Sequence, residues 1–210
     1  MSRTPNKRSL GSTPSRSAIM FRTLLITTLL VLPTACSNFS LMQPVCGDLA
    51  PVHVDDRTIC VTPDYYSVDG VRQPLGLSDA LELAQSLDMR LPTIEEVDAI
   101  YEQADIRLTP ITMRPGPAMS SVEYIQRHNA LIDEQLEGLS GTLIAGHKKD
   151  LIQIDENSPR VGIYGWHTGV GLPIQPYSTV HGREYYDYSH GVRLVSLYEY
   201  VNGDRIYTGQ

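Results

Sequence analysis

Four of the six histidines in the chain fall between residues 147 and 190, and these side chains are the best candidates for chemistry. They are His147, His167, His181 and His190. Each is expected at the end of a β-strand or in a loop between strands, where a scaffold usually presents functional side chains. His147, His167 and His181, or two of them with Asp150 or Asp187, could bind zinc, which would activate water for hydrolysis. No HExxH motif supports such a metal site, so zinc is one interpretation of three.

A nucleophilic mechanism is the second interpretation. Ser189, Asp187 and a histidine supply a nucleophile, an orienting carboxylate and a base. Ser189 and His190 are adjacent at a strand entry, so their side chains would point to opposite faces of the sheet. His181 is therefore the better candidate for the base. In the third interpretation the histidines are hydrogen-bonded structural residues around a binding cleft, although four within 44 residues favour at least one functional role.

Charged and aromatic residues in the same region could bind a substrate. Arg193 lies in an apolar–polar alternation, and its guanidinium could hold a carboxylate of the substrate or pair with Asp187. Lys148, Lys149 and Asp150 are predicted in a solvated turn, from which Lys149 could offer positive charge to an anionic substrate. The aromatic candidates for substrate binding are Tyr164, Trp166 and Tyr186.

The residues before this region have the pattern of three helices. Ser78 is predicted to cap the first helix, in which apolar residues recur at helical spacing. Thr93 opens a capping-box pattern, Thr-Ile-Glu-Glu, which predicts the start of a second helix. A third helix is predicted from Ser120 or Ser121 to Gly138, because glycine often follows the last turn of a helix.

From residue 142 onward the apolar residues follow the pattern of short β-strands. The strand candidates are TLIAG (142–146), DLIQI (150–154), RVGIYGW (160–166), GVRLVSLY (191–198) and DRIYT (204–208). Helices followed by strands predict the α+β class, with about three helices and then a mostly antiparallel sheet in a single domain. This α+β domain is expected to span residues 77–210. The turn-rich residues 36–76 are expected to precede it as a disulfide-stapled lead-in with one or two short strands.

The N-terminal residues predict export. Residues 23–33 form a short apolar run after five basic residues, which is typical of a signal peptide and too short for a membrane span. The predicted signal peptide covers residues 1–35, and Met20 could be its true start. The sequence Leu-Pro-Thr-Ala-Cys, ending at Cys36, resembles a bacterial lipobox with proline where leucine is usual. Lipidation of Cys36 would anchor the protein at the periplasmic face of the bacterial envelope, whereas ordinary cleavage after Ala35 would release it.

Cys46 and Cys60 then remain as an even pair in an oxidising compartment, so a disulfide between them is expected. No free thiol is left for catalysis. Removal of residues 1–35 would take away five of the 17 basic residues and none of the 24 acidic ones, which leaves a net charge of −12. Such a surface repels nucleic acid, and it also argues against membrane binding by basic residues. Contact with the membrane is therefore expected only through the lipid anchor.

Five short sequence blocks stand out between residues 90 and 196. They are AGHKKD, IYGWH, GLPIQP, STVHG and DYSHGVRLV. Together they resemble a family of exported bacterial proteins that has no assigned reaction. Val-His-Gly at 180–182 and Ser-His-Gly-Val-Arg at 189–193 are also similar to the L,D-transpeptidase signature. That signature has a cysteine where this chain has Val192, so thiol-based transpeptidation is not expected. Residues 78–103, with RLPT between two helices, are similar to C-type-lectin-like modules related to formylglycine-generating enzymes.

The sequence as a whole predicts an exported cell-envelope protein. The leading expectation is a hydrolase or transferase acting on peptidoglycan or another envelope polymer, with His181 as base or metal ligand and Arg193 holding the substrate. The alternative is a non-catalytic lipoprotein that binds an envelope glycan or peptide. Convergence of His147, His167 and His181 in one cavity would favour the enzyme, and separate hydrogen bonds would favour the binding protein.

Overall fold

The computed structural model describes residues 46–209. The predicted signal peptide, the alternative start at Met20 and the lipidation of Cys36 lie outside these residues. No helix within residues 46–209 is both long and apolar enough to cross a membrane. Attachment to the envelope therefore stays a prediction from the sequence.

Three α-helices occur in the described residues: α1 (Leu77–Ser86), α2 (Ile94–Gln103) and α3 (Val122–Leu136). α2 begins with the predicted capping box, in which Thr93 Oγ1 accepts a hydrogen bond from Glu96 N and the Glu96 carboxylate accepts one from Thr93 N. Ser121 caps α3 by accepting a backbone hydrogen bond, as its position predicts. The prediction for α1 was wrong by two residues, because Gly76 is the N-cap residue and Ser78 lies inside the helix.

The strands are short, and most of them pair antiparallel. In chain order they are β1 (Ala50–Val54), β2 (Arg57–Val61), β3 (Ser67–Val68), β4 (Val71–Arg72), β5 (Met89–Arg90), β6 (Ile106–Arg107), β7 (Ile144–Ala145), β8 (Lys149–Leu151), β9 (Ile163–His167), β10 (Pro173–Ser178), β11 (His190–Gly191), β12 (Val195–Val201) and β13 (Asp204–Tyr207). β1, β2, β12 and β13 lie side by side in one antiparallel sheet, and β5 pairs with β12. Because β1 and β2 come from the predicted lead-in, this sheet joins residues from both ends of the described chain.

The second sheet carries several of the predicted site residues. Its strands lie in the order β10–β9–β8–β11, and β11 runs parallel to β8 while the other pairs are antiparallel. The register places His190 beside Lys149 and Gly191 beside Asp150. β3 pairs with β4 and β6 with β7 in two small sheets. The three helices and the mostly antiparallel pairing agree with the predicted α+β class, but the strands form several sheets instead of one.

A disulfide joins Cys46 to Cys60, as the sequence predicts. The two cysteines are 14 residues apart, and Cys60 lies on β2, so the bond ties the start of the described chain to the larger sheet. Closing a loop of this length stabilises a folded chain by about 3 kcal/mol in the chain-entropy model. The bond agrees with folding in an oxidising compartment.

Two apolar clusters hold the helices against the sheets. In the first, Ile100 of α2 packs with residues of β1 and β2 that include Val52. In the second, Leu77 of α1 packs with Leu151 of β8 and with Val192, which follows β11. Full burial of one such aliphatic side chain is worth roughly 2 kcal/mol. β8 and β11 thus belong to the core, and the polar side chains of the candidate site lie on these two strands and on the residues beside them.

Candidate functional site

Arg193 lies inside a buried polar network instead of at the surface. Its side chain is fully buried and donates hydrogen bonds to the carbonyl oxygens of Thr62, at 2.7 Å, and Ile144, at 2.6 Å. The guanidinium also lies over the ring of Tyr65, with 4.4 Å between Cζ and the ring centroid. These contacts join three segments of the chain, and they leave Arg193 no access to the carboxylate of a ligand.

Lys148 and Asp150 are also buried, which corrects the predicted solvated turn. The ammonium of Lys148 donates a hydrogen bond to Tyr188 O at 2.6 Å and lies 3.0 Å from His128 Nδ1. Asp150 accepts a hydrogen bond from the hydroxyl of Tyr65 at 2.9 Å. Burial lowers the pKa of Lys148 to about 7 and raises the pKa of Asp150 to about 6. Both side chains therefore lie where their charged forms are disfavoured.

His147 pairs with a carboxylate inside the domain. Its Nε2 lies 3.0 Å from Asp64 Oδ1, and the other oxygen of Asp64 lies 2.7 Å from Nη2 of Arg72. Burial opposes the ionisation of Asp64, but its hydrogen bonds with His147 and Arg72 hold the pKa of this carboxyl well below its usual range. Burial lowers the pKa of His147 against the attraction of Asp64.

His167 lies against α2. Its Nε2 is 2.8 Å from Asp98 Oδ1, and the hydroxyl of Tyr164 donates a hydrogen bond to the same oxygen at 2.9 Å. The imidazole also stacks on the ring of Tyr101, with 4.7 Å between centroids. Two predicted site residues therefore meet at Asp98, which the sequence reasoning did not single out. The available signal was an acidic residue within the apolar stripe of α2, four positions after Ile94.

Four predicted catalytic residues lie at Tyr185 or beside its partners: His181, Asp187, Ser189 and His190, whose ring centroid is 5.6 Å from that of Tyr185. Its ring stacks on His181, with 4.0 Å between centroids, and its hydroxyl donates a hydrogen bond to Asp187 Oδ2 at 3.0 Å. Ser189 donates its hydroxyl and its backbone N–H to Asp187 Oδ1, at 2.5 Å and 2.8 Å. The hydroxyl of Ser189 thus faces a carboxylate and not an imidazole. The described geometry does not join Ser189, a histidine and Asp187 in the order that a nucleophilic mechanism needs.

His190 packs edge-on against the ring of Tyr185 but makes no hydrogen bond through its imidazole within the described residues. Its relative exposure is 1%, and neither ring nitrogen has a hydrogen-bond partner within residues 46–209. Burial lowers its pKa to about 4 against the attraction of Asp187, whose Oδ2 lies 4.0 Å from Nε2. The imidazole is therefore neutral at pH 7, with one donor and one acceptor unused.

Lys149 extends from β8 on the same side as His190, because the two residues are register partners on neighbouring strands. Its Nζ lies 5.0 Å from the ring centroid of Trp166, which is buried. Tyr186, the remaining predicted substrate-binding residue, lies at the surface, where its carbonyl oxygen accepts a hydrogen bond from Ser120. Of the predicted substrate-binding residues, Lys149 and Trp166 thus lie together beside His190, whereas Tyr186 is an exposed aromatic residue.

The predicted zinc ligands do not converge. His147 and His167 bond to different carboxylates, and His181 stacks on a tyrosine ring. Across residues 46–209 there is no group of three or more His, Cys, Asp or Glu side chains arranged to hold a metal ion. From the sequence, separate hydrogen-bond partners for these histidines were expected of a binding protein, and convergence in one cavity was expected of an enzyme.

An open groove of about 470 Å³ lies at the N-terminal end of α2 and beside β10. It is lined by Arg57, Thr93, Ile94, Glu95, Ile152, Gln153 and Tyr177. Tyr177 is 48% exposed, and Tyr164 packs in one apolar cluster with Ile152 and the partly buried Ile94. The sequence reasoning missed this groove. The run PIQPYS, in which two prolines interrupt apolar residues, was the available sign of an exposed edge strand.

Comparison of the chain with models of protein families, with curated proteins and with solved structures found no match. The resemblances that the sequence blocks and the L,D-transpeptidase signature indicate therefore stay predictions. Function has to be argued from the geometry of the chain itself.

Proposed function

We propose that the protein is an exported, non-catalytic binding protein of the cell envelope that holds a glycan or peptide in the groove beside α2 and β10. The observation that supports this proposal most directly is an open groove with a half-exposed aromatic ring, Tyr177, on its wall. The location in the envelope rests on the predicted signal peptide and lipobox, and the disulfide agrees with it.

The lining of the groove suits a polar polymer. Tyr177 offers a flat apolar face together with a hydroxyl, a combination that favours partly wet binding surfaces. The side-chain amide of Gln153 carries both hydrogen-bond donors and an acceptor. Ile94 and Ile152 add apolar surface. A volume of about 470 Å³ lies within the usual range for ligand sites.

The charges at the groove favour a neutral or cationic ligand over an anionic one. Arg57 is the basic residue of the lining, and its Nη1 lies 3.0 Å from carboxylate oxygens of both Glu96 and Glu199. The side chain of Glu95 is 59% exposed, with an oxygen 3.9 Å from Arg57. Arg90 also pairs with Glu96, so three carboxylates face two guanidinium groups, and an anionic ligand would meet net like charge.

The edge of β10 is not suited to pairing with another strand. β10 is an edge strand of the second sheet and contains Pro173 and Pro176, which have no backbone N–H. Prolines on an edge strand prevent a further strand from pairing with it. The ligand is therefore held by side chains of the groove and not by strand addition.

The hydrolase or transferase expected from the sequence lacks a comparable observation. Its expected base, His181, stacks on Tyr185, and its expected nucleophile, Ser189, donates its hydroxyl to a carboxylate. Arg193, expected to hold the substrate, is fully buried. For these reasons binding, and not catalysis, is the function that we propose.

Calorimetric titration of the full chain with soluble peptidoglycan fragments and with chito-oligosaccharides tests the proposal. We expect saturable binding that is tighter for the chito-oligosaccharides, which carry no negative charge, than for the peptidoglycan fragments, whose carboxylates would meet Glu95. Chromatography should recover both ligands unchanged. Tyr177→Ala should weaken this binding by about tenfold, which corresponds to about 1.4 kcal/mol. The matched control is Tyr207→Ala, which removes an exposed tyrosine from β13, outside the groove. Equal weakening by both variants, or cleavage of either ligand, would overturn the proposal.

A further inference from the structure

A second, independent cluster lies at the junction of β8, β9 and β11. Lys149 on β8 pairs in register with His190 on β11 and with Gly165 on β9. Trp166 follows Gly165, and its ring lies beneath the ammonium of Lys149, at 5.0 Å from Nζ to centroid. These contacts bring an ammonium, an imidazole and an indole together on three neighbouring strands.

The polar atoms of this cluster have unused hydrogen-bonding capacity. Within residues 46–209, the ammonium of Lys149 has no hydrogen-bond or ion-pair partner, although it is half-buried. Nε1 of Trp166 and both ring nitrogens of His190 are buried without a partner. Buried polar groups are almost always hydrogen-bonded, and an exception indicates a functional role, a water molecule or a bound ligand. The three side chains thus present several donors that the protein leaves unused.

The backbone at this position is unusual. Gly165 has a φ of +105° and Trp166 a φ of +58°. The left-handed region is rare for a bulky residue, and such conformations are found most often at binding and active sites. The consequence is visible in the contacts of β9: Tyr164 and His167 both bond to Asp98, whereas Trp166 between them contacts Lys149. The irregular backbone therefore directs the indole to the ammonium.

Asp187, whose charge attracts the ammonium of Lys149, has its oxygens occupied by other donors. Asp187 Oδ1 accepts two hydrogen bonds from Ser189, and Oδ2 accepts one from Tyr185. Burial lowers the pKa of Lys149 against the attraction of Asp187, as expected for an ammonium with too few partners. A ligand with acceptor oxygens and a negative charge would supply the hydrogen-bond acceptors and the opposite charge that this ammonium lacks.

From this cluster we infer a binding site for a carboxylate group, formed by Lys149, Trp166 and His190. Lys149 is half-buried, whereas Nε1 of Trp166 and both ring nitrogens of His190 are fully buried, so the ammonium is the donor that a ligand reaches first. The indole N–H of Trp166 and the neutral imidazole of His190 add donors without a charge. The site does not share residues with the groove that contains Tyr177, and it stands whether or not the groove binds a polymer.

The fluorescence of Trp166 reports on this site directly, because Trp166 is the only tryptophan of the chain. The experiment is a titration of the full chain with N-acetylalanine, which carries the carboxylate of a peptide end, and with galacturonic acid, which carries that of a sugar. N-acetylalanine amide serves as the uncharged control ligand. We expect a saturable change in fluorescence with at least one carboxylate and none with the amide. The ligand that binds more tightly shows whether the natural carboxylate belongs to a peptide or to a sugar.

Lys149→Met should weaken carboxylate binding at least tenfold, while Lys149→Arg, which keeps the charge, should bind more tightly than Lys149→Met. Arg205→Met is the matched control, because it removes an equal charge from exposed β13 and should leave the titration unchanged. Circular dichroism confirms that each variant is folded. The inference is overturned if neither carboxylate gives a saturable change, if the amide gives the same change, or if Lys149→Met binds as tightly as the unchanged protein.

Discussion

The guanidinium of Arg193 and the carboxylate of Asp150 lie 3.8 Å apart, from Nε to Oδ1, and both side chains are almost fully buried. Asp150 Oδ1 has no hydrogen bond within the described residues, so the nearby guanidinium is what compensates its charge. Buried charges persist in proteins when they are paired. The pair connects β8, which contains Asp150, with the residues that follow β11.

Replacement of Arg193 by methionine should strongly destabilise the protein. The change removes the charge partner of Asp150 and leaves the carbonyl oxygens of Thr62 and Ile144 without their donors. Loss of one partner of a buried charged pair costs about 3–5 kcal/mol. Urea unfolding measures this loss as a lower free energy of unfolding. Arg127→Met, at an exposed position on α3, should change it by less than about 0.5 kcal/mol, and equal effects of the two changes would contradict the role of Arg193.

His128 and His190 predict a loss of stability in mild acid. Burial lowers the pKa of His128 to about 3 and that of His190 to about 4, from an ordinary value of 6.5. Between about pH 6.5 and pH 4 the unfolded chain therefore binds more protons than the folded chain, so the free energy of unfolding falls as the pH falls. Asp150 acts in the opposite direction. Its pKa is raised to about 6, so the folded chain gains stability from its protonation as the pH falls from about 6 to 4.

Urea unfolding at several pH values between about 7 and 4.5 measures how the free energy of unfolding depends on pH. We expect His190→Gln to reduce the slope of unfolding free energy against pH, because the variant removes one of the three histidines whose pKa burial lowers. His53→Gln changes an exposed histidine on β1 and should keep the original slope. Asp150→Asn should make the loss in acid steeper. Identical slopes for the His190→Gln variant and the unchanged protein would exclude His190 as a source of the acid sensitivity.

Gly191 allows β11 to approach two buried side chains. A Cβ atom at this position would lie 2.5 Å from Cδ1 of Tyr65 and 2.8 Å from Cβ of Lys148. Gly191→Ala should therefore displace packed groups and lower the free energy of unfolding by about 1–3 kcal/mol. Gly182→Ala is the control, since a Cβ atom there would meet nothing within 4 Å. Thermal unfolding compares the two, and similar melting temperatures would mean that β11 has room for a side chain.

The elements of the fold were predictable where their signals are local. The caps of α2 and α3 were identified because Thr93 and Ser121 bond to backbone N–H groups three residues away. The disulfide between Cys46 and Cys60 was predicted because two of the three cysteines remain when Cys36 is assigned to the lipid anchor of an exported protein. The cap of α1 was misassigned because Gly76, without a side-chain hydrogen bond, forms the N-cap and leaves no residue-type signal there.

The candidate site was predictable only as a region. The sequence by itself determined that histidines, Lys149, Trp166 and Arg193 gather on or beside short strands after the helices, because residue type and alternation can be read along the chain. Tertiary structure decided which of them can meet a ligand. His147 bonds to a carboxylate 83 residues away in the sequence, and His167 bonds to Asp98, 69 residues away. No local sequence pattern extends over such separations. Packing buried Arg193 completely and left Lys149 half-buried. The burial of a residue depends on which other segments of the chain cover it, and the local sequence does not specify those segments.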